Sequence, residues 1–203
     1  MKVYTITLQV AVNTLPLSFH ARDPVKVARA LLGMDLVHLA RGRMRSGRIV
    51  ETEAYLGPHD LACHSSKGRT PRTEVMFGPP GHAYLFLVYG MHLCFNVVTG
   101  DGAAVLIRAL APGEGLEGVR TDGPGRLTRA LGLKLGLNRA PLDRPPLFLA
   151  RGVAVPSRHV EISPRIGVDY AGEWASRPLR FHDRRSAFVS RSPLEARVRH
   201  SGR

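Results

Sequence analysis

The chain has 203 residues, of which 44% are apolar, so it can bury a sizeable core as one domain, and wholesale disorder is excluded. Lys and Arg number 29 against 16 Asp and Glu, which gives a formal net charge of +13. Such a charge indicates a polyanionic partner, although a role in solubility or a genome that favours Arg would also produce it. Composition alone does not separate DNA, RNA and an acidic membrane surface.

The two cysteines, Cys63 and Cys94, form no C-x-x-C pair, so neither a zinc knuckle nor a redox motif is indicated. We expect both thiols to be reduced, with Cys94 in the core; a disulfide is the minor alternative. No run approaches the ~20 apolar residues of a membrane span, and the first residues alternate too much for a signal peptide. These features predict a cytoplasmic protein with no membrane partner.

The first predicted helix begins at Pro24, with Asp23 as its N-cap, and closes at Gly33. Strands are predicted from Met34 to Leu39 and from Arg48 to Tyr55. Residues 59–81 are rich in Gly, Pro, Ser, Thr and His, and irregular stretches of this length in a compact domain are often functional.

The clearest β signal follows, in the segments Ala83–Val88, Leu93–Val98 and Ala103–Leu110. A tip at Tyr89–His92 separates the first two, and a Gly-Asp-Gly turn separates the second from the third. The pattern predicts a three-stranded antiparallel meander.

Beyond the meander, a helix is predicted from Arg126 to Leu135, and short strands and loops are predicted in the remainder, which includes Glu161–Val168 and Leu179–Phe181. We predict an α+β fold in a single domain that spans residues 15–190. Residues 1–14 would form an extension, and the polar, basic tail 191–203 would be frayed.

Two acidic residues, Glu51 and Glu53, share a strand face with Ile49 and Tyr55 if the strand alternates regularly. A buried carboxylate in such surroundings could act as a general base. The alternative is an exposed strand face on which both acids are solvated.

The irregular segment carries His64 close to Arg69 and Thr70, and basic and hydroxyl side chains in a loop can bind phosphate. An ordinary solvated loop would have the same composition.

In the meander, Tyr84 and Phe86 share one face and form either core or a base-stacking platform. Asn96 and Arg108 lie within apolar strands and need polar partners, supplied by a structural network or by a ligand. Tyr89 stands at a tip that a core cannot readily cover. It could act as a wedge between bases or fold back over the meander.

The ordered series of these segments resembles the alkyladenine (3-methyladenine) DNA glycosylase family, from about Leu15 to about Ser190. The motifs that carry the resemblance are Arg48-Ile-Val-Glu-Thr-Glu-Ala-Tyr-Leu-Gly-Pro58, Cys63-His-Ser65, Gly68-Arg-Thr-Pro-Arg72, Met76-Phe-Gly-Pro-Pro-Gly81, Tyr89-Gly-Met91 with Asn96, Leu106-Ile-Arg-Ala109, Arg165-Ile-Gly-Val168 and Ala171-Gly-Glu-Trp174.

The resemblance implies a curved, largely antiparallel sheet and a hairpin that enters the minor groove of DNA. It implies that Glu53 activates water, helped by Arg108 and the carbonyl of Ile166. The other residues that it assigns are the pocket walls Tyr55, His64, Tyr84 and Phe86; Asn96, which screens the purine 2-position; and the DNA contacts Tyr89, Met91, His92, Arg69, Thr70 and Gly167.

The resemblance therefore predicts a monofunctional glycosylase that flips damaged purines out of double-stranded DNA and hydrolyses their glycosidic bond. The lesion could be of the 3-methyladenine, 7-methylguanine, hypoxanthine or etheno-adenine type. No metal or cofactor is implied, and a nucleoid-associated monomer is expected.

One position departs from the family, because Phe86 stands where well-known mammalian members carry Tyr. Stacking survives this change, but a hydroxyl contact does not. One competing hypothesis is a non-catalytic nucleic-acid-binding domain, which gives no reason for Glu53 to lie beside Tyr55. The other is a formyltransferase-like RNA-handling domain, which does not account for the set of Glu53, Asn96 and Arg108.

Overall fold

The computed structural model describes residues 13–190, so the predictions made for residues 1–12 and for the tail lie outside the described residues. Within that range the helices are α1 (Leu17–His20), α2 (Pro24–Leu31) and α3 (Pro124–Leu131). The strands are β1 (Asp35–Ala40), β2 (Arg43–Tyr55), β3 (Ala83–Val88), β4 (His92–Gly100), β5 (Ala103–Pro112), β6 (Leu147–Ala150), β7 (Val160–Ser163) and β8 (Arg180–Asp183).

The strands form one curled sheet in which every pairing is antiparallel, in the order β3-β4-β5-β2-β1-β6. Strand β8 pairs with β2 and with β7. The predicted meander is confirmed as β3-β4-β5, and the α+β class is confirmed by the helices that flank the sheet. The long strand β2 is the centre of the fold, because its first half pairs with β1 and its second half with β5 and β8.

Helix α2 forms as the sequence predicts: the Asp23 carboxylate accepts a hydrogen bond from the Lys26 amide, and Pro24 occupies the first turn. Its buried face of Val27, Ala28 and Leu31 joins the main hydrophobic core. Helix α3 is shorter than predicted and ends at Leu131. Gly132 takes the left-handed conformation (φ 72°) that closes a helix, and the chain turns there.

Other boundaries differ from the predictions. Strand β2 begins at Arg43, five residues before the predicted start, since its first half pairs with β1. Within Glu161–Val168, where short strands and loops are predicted, strand β7 ends at Ser163 and the chain then leaves the sheet.

The irregular segment 59–81 contains two short 3-10 turns, His64–Lys67 and Glu74–Phe77, and lies against the meander. There it packs a second, smaller core of Cys63, Val75 and Met76 with Tyr84 of β3. Cys63 and Cys94 are both buried and are not joined by a disulfide, as expected. Within residues 13–190, no helix is long and apolar enough to cross a membrane.

Candidate active site

An open cavity of about 380 Å³ lies between the meander, the irregular segment and the loop that follows β7. Its volume is that of a small-molecule pocket. The sequence-predicted site residues that line it are Tyr55, His64, Tyr84, Phe86, Tyr89, Asn96, Arg108, Ile166 and Gly167. Glu53 contacts three of these lining residues without lining the cavity itself. Arg69, Thr70, Met91 and His92 lie outside it.

Strand alternation explains why the meander supplies so many of these side chains. Tyr84 pairs with Asn96, which in turn pairs with Leu106, and all three line the cavity. The intervening residues Leu85, Phe95 and Val105 belong to the main core instead. Because successive side chains point to opposite faces, one face of the meander packs the core and the other forms the cavity wall.

Three rings form one wall of the cavity. The His64 ring lies 4.4 Å from the Phe86 ring between centroids, and Phe86 lies 5.2 Å from Tyr84. The His64 Nδ1 and the Tyr84 hydroxyl are hydrogen-bonded at 2.9 Å. The wall is therefore a fixed aromatic surface against which a planar ligand can stack.

This wall carries no charge at neutral pH. Burial, and after it the nearby Arg72, lowers the pKa of His64 to about 4. Burial also raises the pKa of Tyr84 to about 12. His64 is therefore a neutral hydrogen-bonding group in the cavity wall, and it does not repel a cationic ligand.

Glu53 has no exposed surface and lies directly behind the cavity. Its Oε1 accepts from the Ile166 amide at 2.8 Å and lies 3.1 Å from Nη1 of Arg108, while its Oε2 accepts from the Tyr55 hydroxyl at 2.9 Å. Burial, together with the Glu53 charge, raises the pKa of Tyr55 well above its usual value, so this hydroxyl remains a donor. The contact between Ile166 and Glu53 is made by the amide. The help in activating water that the resemblance assigns to the Ile166 carbonyl stays a prediction.

Glu51 is equally buried, but of the residues that its carboxylate contacts only Arg108 lines the cavity. Its Oε1 accepts from Nε of Arg108 at 3.1 Å, Nε of Arg180 at 2.6 Å and the Ser190 hydroxyl at 2.8 Å. Its Oε2 accepts from the Ser190 amide at 2.6 Å. Both glutamates thus contact Arg108 on the same side of β2, and the alternative of solvated acids is wrong.

Arg108 is the cation that both carboxylates share. Burial alone would lower the pKa of Arg108, but the carboxylates of Glu53 and Glu51 outweigh it and raise that pKa above its usual value. Its guanidinium also lines the cavity. The partner that the sequence required for a buried arginine is therefore a pair of carboxylates.

The Asn96 side chain is buried in the cavity wall, and its Nδ2 donates to the Tyr84 carbonyl at 3.1 Å. This hydrogen bond supplies the polar partner that an amide in an apolar strand requires. It also holds the Asn96 side chain in one place against the cavity.

The tip of the β3–β4 hairpin is a short loop in which Tyr89 and Gly90 both have positive φ. The Tyr89 side chain is 86% exposed and that of Met91 is 73% exposed. Tyr89 stands at the edge of the cavity and does not fold back over the meander. His92 lies at the base of the tip, beside α3.

The two loop residues predicted to contact DNA lie apart from the cavity. Arg69 is exposed, and its guanidinium carbon is 5.0 Å from the centre of the Phe77 ring. The Thr70 hydroxyl is hydrogen-bonded to that of Thr73 at 2.9 Å and also accepts from the Thr73 amide. Thr70 therefore closes a turn within the loop.

Sequence reasoning missed a buried ion pair behind the cavity. Arg165 binds Asp60 through two hydrogen bonds, of 2.6 and 2.9 Å, and donates to the Ala54 carbonyl at 3.0 Å. These contacts fix the loop whose next residue, Ile166, donates to Glu53. Little in the irregular segment 59–81 singled out Asp60 as a functional residue, although Arg165 belongs to one of the motifs that carry the resemblance.

One further residue at the cavity, Tyr170, was also missed, and Arg72, the last residue of a quoted motif, contacts the cavity wall. Tyr170 lines the cavity and is 71% exposed, and its hydroxyl lies 3.3 Å from the Ala62 carbonyl oxygen. The exposed Arg72 places its guanidinium carbon 5.1 Å from the centre of the Phe86 ring. Among the described residues, no group of three or more His, Cys, Asp or Glu side chains is placed to hold a metal ion.

Comparison with known proteins gives a consistent result. The profile of the methylpurine-DNA glycosylase family matches residues 18–187. A protein of Myxococcus xanthus is 60% identical over 189 residues, which cover 91% of this chain and 97% of that protein. A relative from Anaeromyxobacter dehalogenans is 53% identical over 87% of this chain and 86% of its own length. A relative from Legionella pneumophila is 49% identical over 88% of this chain and 98% of its own length. All three carry the provisional name 3-methyladenine DNA glycosylase.

Proposed function

Because the chain belongs to the methylpurine-DNA glycosylase family, and is therefore a DNA glycosylase, we propose that it removes damaged purines from duplex DNA. The base would leave the helix, enter the cavity and be released by hydrolysis of its N-glycosidic bond, as the first step of base excision repair. The names of its relatives favour 3-methyladenine as one substrate. The other alkylated, deaminated and etheno purines remain candidates.

The surroundings of each glutamate carry the assignment of the base. Glu53 accepts from three groups, and all three belong to residues that line the cavity, namely Tyr55, Arg108 and Ile166. Glu51 shares Arg108 with it, but its other partners, Arg180 and Ser190, do not line the cavity. Each carboxylate oxygen offers about two lone-pair sites, and Oε2 of Glu53 receives one donor, so one site remains beside the Tyr55 hydroxyl. Glu53 is therefore the acid that is placed to accept a proton from a water in the adjacent cavity.

The proposed reaction needs no further group on the enzyme to form or break a covalent bond. Glu53 takes a proton from water, the water oxygen bonds to C1′ of the sugar, and the glycosidic electron pair leaves with the purine. The Glu53 charge also stabilises the positive character that develops on the sugar. Arg108, the Ile166 amide and Tyr55 hold the carboxylate in place for this step.

The cavity walls suit a damaged purine. An alkylated purine is cationic, so it gains from stacking on electron-rich rings such as Tyr84 and Phe86. The neutral His64 offers a hydrogen bond without a repelling charge. Asn96 would occupy the space that the 2-amino group of guanine needs, and Tyr89 would fill the gap that the flipped nucleotide leaves in the helix.

We further propose that residues 15–190 form the glycosylase domain, that the protein acts as a monomer, and that it acts in the cytoplasm on chromosomal DNA. Met91 and His92 at the hairpin, with Arg69, Thr70 and Gly167, would contact the DNA around the lesion.

The decisive experiment measures free base released from a panel of duplexes, each with one lesion, by the unaltered protein and by Glu53→Gln. We expect release of at least one alkylated or deaminated purine, and its loss in the variant. Lesion-specific binding without any base release would favour the non-catalytic nucleic-acid-binding alternative.

A further inference from the structure

Two more depressions continue from the cavity along one side of the sheet. The first, of about 920 Å³, lies between α3 and the base of the β3–β4 hairpin and shares Val88, Cys94 and Pro124 with the cavity wall. The second, of about 780 Å³, lies between the β1–β2 turn and the segment after α3. Arg45 lines both. The three depressions therefore form one continuous path.

The lining of the two outer depressions is strongly cationic. It contains no acidic residue and seven basic ones, which we call the cationic trough: Arg41, Arg43, Arg45, Arg120, Arg126, Arg129 and Lys134. Near the cavity, Asp122 pairs with Arg120 at 2.8 Å and with Arg126 at 2.9 Å and offsets part of this charge. At the far end, the exposed Arg41, Arg43 and Lys134 take part in none of the ion pairs found within residues 13–190.

Arg45 is held in position at the junction of the two depressions. Its Nη1 is 3.4 Å from the Ala130 carbonyl, in the last turn of α3, where a helix end favours a cation. A Cβ on Gly132 would lie 2.7 Å from the same Nη1, so only glycine leaves room for this arrangement. The trough thus has a hydrogen-bonded cation at its midpoint and exposed cations at its far end.

We propose that the cationic trough binds the sugar–phosphate backbone of the DNA strand on one side of the extruded nucleotide. A single small anion would need one or two of these side chains, whereas seven cations along two joined depressions match a chain of phosphates. The trough begins at the cavity wall, so a strand that leaves the cavity enters it directly. The position of the lesion in this proposal rests on the proposed function, whereas the binding of phosphates rests on the charge pattern of the trough.

The first test replaces the three far-end cations by Gln and compares the result with a matched loss of charge elsewhere. Gln removes the charge and keeps a flexible polar side chain, and the positive φ of Arg41 (51°) is equally strained for both residues. The trough variant is Arg41→Gln, Arg43→Gln, Lys134→Gln, and the control variant, at exposed positions outside the trough, is Arg151→Gln, Arg158→Gln, Arg184→Gln.

Binding of each protein to an undamaged 25-base-pair duplex is measured over a salt series. Each phosphate contact contributes about 0.9 to the slope of log K against log salt. We expect the trough variant to lose about 2 to 3 from this slope and the control variant to lose less than about 1. Equal losses in the two variants, or none in the trough variant, would overturn the proposal.

The second test locates the trough relative to the lesion. Duplexes with one lesion are shortened on the 5′ or on the 3′ side, and binding is measured with Glu53→Gln present in every protein so that no base is released. We expect shortening on one side to weaken binding, and to weaken it less in the trough variant. Shortening that affects both proteins equally on both sides would exclude a flanking strand in the trough.

The two proposals fail in different ways. If the unaltered protein releases no base from any damaged duplex, the proposed function fails, while the salt series on undamaged DNA still decides whether the trough binds phosphates. If base is released but the trough and control variants have the same salt slope, the trough proposal alone fails.

Discussion

Replacing Glu53 by Gln changes one atom of a buried carboxylate and leaves its shape intact. The remaining oxygen can still accept from Arg108 and from the Ile166 amide. The new amide nitrogen then faces the Tyr55 hydroxyl, which can rotate to accept a hydrogen bond instead of donating one. The side chain therefore keeps its partners but can no longer take a proton from water.

The loss of activity should exceed the loss of stability. Removing a general base lowers a rate by about 10²- to 10⁴-fold, or about 3 to 5 kcal/mol of transition-state stabilisation. Arg108 keeps Glu51 as a charged partner, so the folded state loses the strength of one charge-assisted hydrogen bond, about 1.5 to 3 kcal/mol. Binding to a lesion-containing duplex should change little.

Glu51→Gln is the matched control, since it removes the same charge from the same strand. It leaves Arg180 without a carboxylate among the described residues, and removing one partner of a buried pair costs about 3 to 5 kcal/mol of stability. We therefore expect Glu51→Gln to lower the unfolding midpoint more than Glu53→Gln does, and to retain most of its activity while it is folded.

The assay is single-turnover release of a damaged purine at a temperature at which circular dichroism shows both variants folded. Urea unfolding gives the stability of each. If folded Glu51→Gln releases no base while Glu53→Gln remains active, the contacts to cavity-lining residues identified the wrong glutamate.

Three further predictions test other parts of the site. Tyr89→Ala should weaken binding to lesion duplexes by about 1 to 3 kcal/mol with an unchanged melting temperature, because the side chain is exposed; a lower melting temperature with unchanged binding would contradict a wedge. Asn96→Ser should increase guanine release from a G·T duplex and change 3-methyladenine release less; unaltered guanine release would make Asn96 structural. Burial, and then Arg22, lowers the pKa of His20 in the folded protein from 6.5 to about 4. Between these pH values the unfolded chain binds a proton that the folded protein does not bind, so the free energy of unfolding decreases as the pH falls. Between pH 7 and pH 5, His20→Phe should therefore lose about 2 kcal/mol less stability than the unaltered protein. The control His59→Phe, at an exposed position, should lose as much as the unaltered protein. Equal losses in His20→Phe and in the unaltered protein would contradict this cause.

Local signals predicted the parts of the fold that depend on neighbouring residues. The N-cap at Asp23 and the turn at residues 100–102 place α2 and the β4–β5 connection correctly. The end of α3 was wrong because an apolar pattern continued past Gly132, whose conformation decides where the helix stops. The extension of β2 back to Arg43 depends on pairing with β1, which periodicity within one segment does not reveal.

The candidate site likewise contains features that local sequence patterns predicted and features that depend on distant residues. Alternation brought Tyr84 and Phe86 to one face, and the structure places both in the cavity wall. It could not decide whether Glu51 and Glu53 were buried, since their partners lie far away in the chain: Arg180 and Ser190 for Glu51, and Ile166 for Glu53. The resemblance supplied the distinction between the two acids, and the structure gives a physical reason for it.

That reason lies in how the chain closes over β2. Strand β8 brings Arg180 to β2, and Ser190 follows it, so Glu51 is the acid that holds these distant segments together. Arg108 links the two carboxylates, and with Arg180 it balances their charge. Because Glu51 carries the contacts to these segments, Glu53 can direct all its contacts to residues of the cavity wall without leaving a buried charge unpaired. The same pair of acids, without the closure by β8, would have no reason to differ.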